Sequence, residues 1–211
     1  MDIETTCRLA LAGILVLACF DSGYHRLRAE KQGGRVSLRN DPRWFWVVVM
    51  PALVAWLLGM LAFLIHPAWL NFTKMPLPDF LRLLGIPLGL VTVILNDWMF
   101  RHLGHNVTKT SMPRENASLV MTGPYRWIRH PMYSFGGLLF LAFALLTSSW
   151  LIAVSGIVAF FMIALRTRLE EQRLIDKFGD RYRNYMRRTG RYFPRLAFRS
   201  DRPTSDAMNG A

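Results

Sequence analysis

Long apolar blocks alternate with polar segments along the chain, and the blocks predict five membrane-spanning helices. The first centres on Leu9–Phe20, with Thr5–Cys7 and Ser22–Tyr24 as flanks. The second is Trp44–Ile65; Pro51 lies inside it, which a membrane helix tolerates when neighbours satisfy the freed carbonyl. The third is Phe80–Phe100, with Arg82 near its start and Pro87 within. The last apolar stretch, Met132–Leu165, is too long for one crossing, because roughly 20 residues traverse the hydrocarbon. Splitting it at Thr147-Ser148-Ser149 gives a tight helical hairpin as spans four and five. From Arg166 the chain turns polar but keeps a helical rhythm, with Leu174, Phe178, Tyr182 and Tyr185 on one face and Arg173, Lys177, Arg181 and Arg188 on the others. That pattern suits an amphipathic helix at the membrane surface or under the bundle, interrupted at Gly179 and ended near Gly190. The expected fold class is all-α: a polytopic membrane protein in one domain, residues 1–198, with a disordered tail at 199–211.

Composition agrees with this pattern. The 211 residues are 52% hydrophobic and 19% charged, yet carry a formal charge of +12. Disordered, collagen-like and disulfide-scaffold chains are excluded. A nucleic-acid partner is not expected, because a DNA-binding domain of this size has no use for several runs near membrane-spanning length. Cys7 and Cys19 share one apolar segment, roughly 18 Å apart along a helix, which excludes a disulfide between them.

The charges also order the spans. Lys and Arg number six in His25–Arg43, one in His66–Asp79, five in Arg101–Pro131, none in the Thr147–Ser149 turn and twelve from Arg166 onward. Five spans place every rich segment on one face, which the positive-inside rule makes cytoplasmic, with the N-terminus outside. Trp44, Trp46, Trp69, Trp98, Trp127 and Trp150 fall near span ends, as an interfacial belt does. Val16-Leu17-Ala18-Cys19 also looks like a lipoprotein cleavage site. Cleavage there would leave four spans and turn the twelve C-terminal basic residues outward, against the charge pattern.

Two polar clusters stand out. Arg129, His130 and Tyr133 sit at the mouth of span four, where His130-Pro131 reads as a helix start. Arg166 and the pair Glu170-Glu171 sit where span five leaves the membrane. A tight hairpin would bring both clusters to one depth, and ionisable groups at membrane depth are functional candidates. His102 and His105 have helical metal-pair spacing but no evident third ligand, so no metal site is expected. Asn96 and Asp97 read as interfacial caps.

The run Leu119-Val120-x-x-Gly123-x-Tyr125-x-x-x-Arg129-His130-Pro131-x-Tyr133 resembles the signature of the isoprenylcysteine carboxyl methyltransferase family. Arg166-x-x-x-Glu170-Glu171-x-x-Leu174-x-x-x-Phe178-Gly179-x-x-Tyr182-x-x-Tyr185, followed by Pro194, is similar to that family's second signature, and phospholipid N-methyltransferases share much of this core. The resemblance covers roughly Asn106 to Pro194, within a catalytic core expected at about 101–196. It implies an S-adenosylmethionine-dependent methyltransferase, with the cofactor held by Leu119, Val120, Gly123, Tyr125, Arg129, His130, Tyr133, Glu170 and Glu171. It also implies a lipophilic acceptor entering from the bilayer. Its carboxylate would be oriented by Arg166, with Asn106 as a second catalytic candidate. One departure is Ala117, where many family members have a histidine. Glu170 or Glu171 suits the cofactor's amino group or ribose, and Arg129 suits its carboxylate. Methylation of an amine headgroup and a non-catalytic adaptor are the alternatives. A transporter is disfavoured, because the charged residues collect at span ends and no broken-helix pair is evident.

Overall fold

The computed structural model describes residues 2–33, 43–107 and 116–195. The tail expected at 199–211 lies outside these, as do the basic residues of segments 34–42 and 108–115 and the side chains of Trp44 and Trp46. Seven α-helices are present among the described residues: α1 (Ile3–Gly33), α2 (Arg43–Ile65), α3 (Asp79–Leu103), α4 (Pro131–Thr147), α5 (Trp150–Leu165), α6 (Thr167–Phe178) and α7 (Asp180–Arg188). All five apolar blocks are helices. Three are long and apolar enough to cross a membrane by length and composition: Ile3–Gln32, Asp79–Asn106 and Trp150–Phe178. Val49–Ile65 and Pro131–Thr147 are shorter apolar helices. The first block extends furthest beyond its apolar run, continuing through a charged stretch to Gly33.

The helices lie side by side in the order α1, α3, α4, α5, α2. Glycine allows the closest approaches. A Cβ on Gly85 of α3 would sit 2.7 Å from the Ala142 carbonyl of α4, and one on Gly89 would sit 2.6 Å from Ile14 of α1. Small interfacial residues serve this purpose in membrane bundles, where packing replaces the hydrophobic effect. Ala142, Ser155 and Ala159 of the hairpin are buried in the same way. Gly136 faces open space. One core joins α1, α2, α4 and α5 through Leu11, Ile14, Met60, Phe63, Phe143, Leu146 and Ile152. A second, toward the other end, joins Met99, Phe100, Val107, Tyr125, Ile128 and Phe135.

The hairpin turn carries three hydroxyls that need partners. Ser148 adopts a left-handed conformation at the C-terminus of α4, and Ser149 caps α5 by accepting from Ile152 N. Thr147 Oγ1 donates to Phe143 O at 2.8 Å within α4, and the α2–α3 connection supplies partners for Ser148 and Ser149. Met75 N donates to Ser148 O at 2.7 Å, Ser148 Oγ donates to Met75 O at 2.7 Å, and Thr73 Oγ1 and Ser149 Oγ share a hydrogen bond of 2.7 Å. At the same end the buried Arg82 reaches Glu4 at 3.1 Å and the Leu146 carbonyl at 3.2 Å, pinning α1 and α4 to α3.

Candidate active site at the open end of the hairpin

Pro131 occupies the first turn of α4, where its missing N–H costs nothing. α5 passes into α6 through Arg166, still in helical conformation. α4 and α5 therefore open toward the same end, and α6 continues beneath it. Gly179 stops α6 with φ +56°, and the chain turns into α7. Beyond α7 the backbone returns to the mouth of α4. Gly190 N donates to Trp127 O at 3.0 Å, Arg129 N to Gly190 O at 2.8 Å, and His130 N to Arg191 O at 3.0 Å. Ser134 Oγ donates to Tyr192 O at 2.6 Å, and Tyr185 donates its hydroxyl to Tyr125 O at 2.6 Å.

The two polar clusters meet there. Arg129 Nε donates to Glu171 Oε1 at 2.9 Å, and His130 Nε2 lies 3.4 Å from the same oxygen. His130 Nδ1 is 3.6 Å from Glu170 Oε2, so the imidazole stands between the two carboxylates. Tyr133 donates its hydroxyl to Glu170 Oε1 at 2.6 Å, and Arg166 Nε is 3.5 Å from that oxygen. The His130 and Tyr133 rings stack at 5.6 Å.

The two glutamates differ sharply. Glu171 is 3% exposed and held from three sides by Arg129, His130 and Arg191. Burial opposes its charge, but the hydrogen bonds from His130, Arg191 and Arg129 prevail and hold its carboxyl down at about 2. Glu170 lines a cleft. Its neighbours on the wall include Asn106, Ala117, Leu119, Val120, Tyr125, Arg129, His130, Tyr133, Leu174 and Phe178, and Tyr182 and Tyr185 close the floor. Burial pushes the phenols of Tyr125, Tyr182 and Tyr185 above their usual range, so they remain neutral donors.

Eight of the eleven residues singled out from the sequence line this cleft: Asn106, Leu119, Val120, Tyr125, Arg129, His130, Tyr133 and Glu170. Glu171 sits behind the wall. Arg166 lies at the α5–α6 junction beside Glu170. Arg129 reaches the cleft, but its guanidinium also donates to the carbonyls of Met186 (3.1 Å) and Thr189 at the end of α7. Asn106 grips the opposite wall: its amide donates to Ser118 Oγ at 3.3 Å and its carbonyl accepts from Ser118 N at 3.1 Å. Arg191 and Tyr192 were not singled out. They follow Gly190, where no periodicity signals a return to the site, yet Arg191 pairs with Glu171 and Tyr192 donates to Thr167 Oγ1 at 2.8 Å.

Gly123 is also off the cleft, in the turn before α4. Its φ is +58°, and a Cβ there would lie 2.3 Å from the His102 ring, whose Nδ1 is 3.2 Å from Thr122 Oγ1. His102 thus packs against this turn. Gly123→Ala is expected to lower stability by about 1–2 kcal/mol from the left-handed backbone alone, with more from displacing His102. A thermal unfolding midpoint in detergent equal to that of the parent protein would contradict this.

Comparison with known proteins accords with this geometry. The family described as phospholipid methyltransferase matches residues 80–181, just under half of this chain, from α3 through α6; Tyr182, Tyr185 and Arg191 lie beyond the match. The cobalt-zinc-cadmium resistance protein CzcN of Cupriavidus metallidurans is 30% identical over 155 residues, 72% of this chain and 63% of that protein. Methanethiol S-methyltransferase of Pseudomonas deceptionensis is 36% identical over 72 residues, 34% of this chain and 27% of that one. The chain spans less than two thirds of the length of either relative. Among solved structures, the eukaryotic intramembrane Ras methyltransferase ICMT (isoprenylcysteine carboxyl methyltransferase) superposes with a TM-score of 0.50 at 18% identity, covering 74% of this chain and 54% of that one; it shares the fold. Over residues 80–181 the chain is thus similar to the phospholipid methyltransferase family, and as a whole it shares the polytopic helical membrane fold of the intramembrane methyltransferase.

Proposed function

We propose that the chain transfers a methyl group from S-adenosylmethionine to a carboxylate on a lipophilic, isoprenylcysteine-like acceptor. On this reading the basic end of the bundle faces the cytoplasm and the N-terminus lies outside. One observation carries the reading: a carboxylate aimed by Tyr133, Glu170, lies beside His130 on a cleft that Leu119, Val120, Leu174 and Phe178 also line. The donor set fits the cofactor. Glu170 suits an ammonium or ribose hydroxyls, while Leu119, Val120, Leu174 and Phe178 offer apolar surface for an adenine. When bound, S-adenosylmethionine supplies an electrophilic methyl on a sulfonium cation.

The remaining work falls to the chain. Tyr133 and Arg166 fix one oxygen of Glu170, and His130 faces the other. Glu171, Arg129 and Arg191 hold His130 and α7 in place. Asn106 holds the Ser118–Val120 wall. Arg166 is assigned to orienting the acceptor carboxylate. An anionic acceptor would need no general base, so the task left to Glu170, His130, Tyr133 and Arg166 would be alignment. A transfer that cancels a positive and a negative charge would be favoured by a dry pocket over water. A second cavity of 430 Å³ lies on the other flank of the α4 mouth, lined by Leu95, Trp98, Trp127, Phe135, Leu138 and Phe160, and suits the acceptor's apolar chain.

The match to methanethiol S-methyltransferase favours a second reading, methylation of a thiol. The test is to incubate membranes holding the protein with radiolabelled S-adenosylmethionine and recover the lipid-phase label. A base-labile label, the mark of an ester, is expected. A base-stable label on sulfur or nitrogen would move the assignment to a thiol or amine acceptor. Absence of S-adenosylhomocysteine binding by purified protein at micromolar concentration would remove the methyltransferase reading altogether.

A further inference from the structure

Away from the cleft, α1 and α3 bring together three potential ligands that the proposed chemistry does not use. Asp21 and His25 lie one helical turn apart on α1, and Asp97 projects from α3. His25 is 7% exposed. Its Nε2 lies 3.4 Å from Asp21 Oδ1 and 3.1 Å from Asp97 Oδ1, and one ligand atom from each of the three residues lies within 4.8 Å of the others.

These separations are informative. A tetrahedral ion with nitrogen and oxygen ligands at about 2.0–2.2 Å sets its ligand atoms about 3.4 Å apart. The His25–Asp21 separation matches this, and the His25–Asp97 separation is 0.3 Å shorter. Imidazole Nε2 offers at most one proton, so it cannot donate a full hydrogen bond to both carboxylates at once. Arg101 answers the charge of Asp97, and a cation among the three ligand atoms would supply the partner that a single Nε2 proton cannot give to both carboxylates. The surroundings hold the ligands in position. Arg101 Nε binds the other oxygen of Asp97 at 2.7 Å, fixing that carboxylate. The His25 ring stacks on Phe100 at 5.3 Å and meets Tyr24 edge-on at 5.2 Å. Outer contacts of this kind orient the ligands of metal sites.

The geometry points to a divalent-cation site formed by His25 Nε2, Asp21 Oδ1 and Asp97 Oδ1. The nitrogen and two carboxylate oxygens suit a borderline ion such as Zn²⁺ or Co²⁺ better than Ca²⁺, which takes six to eight oxygens. Three protein ligands leave at least one coordination position for water or another donor. The ion would tie α1 to the C-terminal part of α3, nearly two turns before Leu103 reaches the wall of the cleft. The inference stands on its own geometry and does not depend on the methyltransferase reading.

The test uses the full chain in detergent, with any purification tag removed. After equilibration with Zn²⁺ and gel filtration, elemental analysis should find one equivalent per chain. With Co²⁺ the protein should develop a visible d–d spectrum lacking thiolate charge-transfer bands. His25→Gln is expected to abolish retention, and Asp21→Asn or Asp97→Asn to weaken it at least tenfold. Substoichiometric metal and no Co²⁺ spectrum in the parent protein would overturn the proposal without recourse to any variant. Stoichiometric binding that survives all three substitutions in folded protein would overturn it equally, by placing the ion elsewhere.

Discussion

Glu171→Gln is expected to destabilise the protein by about 3 kcal/mol. The carboxylate is 3% exposed and accepts from Arg129, His130 and Arg191, and a neutral amide leaves the buried Arg129 without its counter-charge. Breaking a buried ion pair from one side costs about 3–5 kcal/mol. Arg191 is 38% exposed on its side chain, so water recovers part of that contact and the lower end of the range applies. Arg129 also holds Met186 O and Thr189 O, so the loss should appear first at α7. Hydrogen exchange should show faster exchange over 180–190 than over α3. The pH dependence follows from the depressed carboxyl. Its contribution is complete above about pH 4.5 and is lost as pH falls toward 2, so the unfolding midpoints of parent and variant should differ at neutral pH and converge in acid. A constant difference down to pH 2 would contradict this account.

The hairpin was legible because two kinds of signal agreed. Met132–Leu165 exceeds one span, and three hydroxyl residues mark a turn that a lipid-buried helix would not place at mid-depth. Once the turn stood at Ser148, geometry alone brought Arg129-His130 to Glu170-Glu171. The roles within the cluster were harder to read. Glu170 and Glu171 are adjacent in sequence, but a helix rotates about 100° per residue. One therefore faces the cleft and the other faces back toward Arg129 and Arg191, and nothing in the sequence says which. Gly123 belongs to the same motif as Tyr125, yet its backbone conformation and its packing on His102 explain its presence without any ligand. Asp97 read as an interfacial cap because its partners, Asp21 and His25, lie more than seventy positions away on another helix. Local pattern identifies a helix face, and only the packing of α1 on α3 shows what that face meets.

Glu170→Gln is expected to leave the fold nearly intact and to weaken S-adenosylhomocysteine binding about 10–100-fold, with a comparable loss of methyl transfer. The expectation follows from the contrast with its neighbour. Glu170 lies on the cleft wall and does not hold α7, and its glutamine replacement can still accept from Tyr133 and Arg166, so less is lost than at Glu171. Glutamine keeps the size and an acceptor oxygen, so what disappears is charge. A charge-assisted hydrogen bond is worth about 1.5–3 kcal/mol, which is about 10–100-fold in affinity. Tyr133→Phe should give a smaller loss, because it removes the hydroxyl that aims the carboxylate and leaves the carboxylate itself. Isothermal titration in nanodiscs, beside a thermal midpoint for each variant, separates the two glutamates. Binding that is lost with stability kept identifies Glu170 as the group that meets the ligand, whereas equal effects from Glu170→Gln and Glu171→Gln on both readouts would show that the pair serves only to hold the hairpin's open end together.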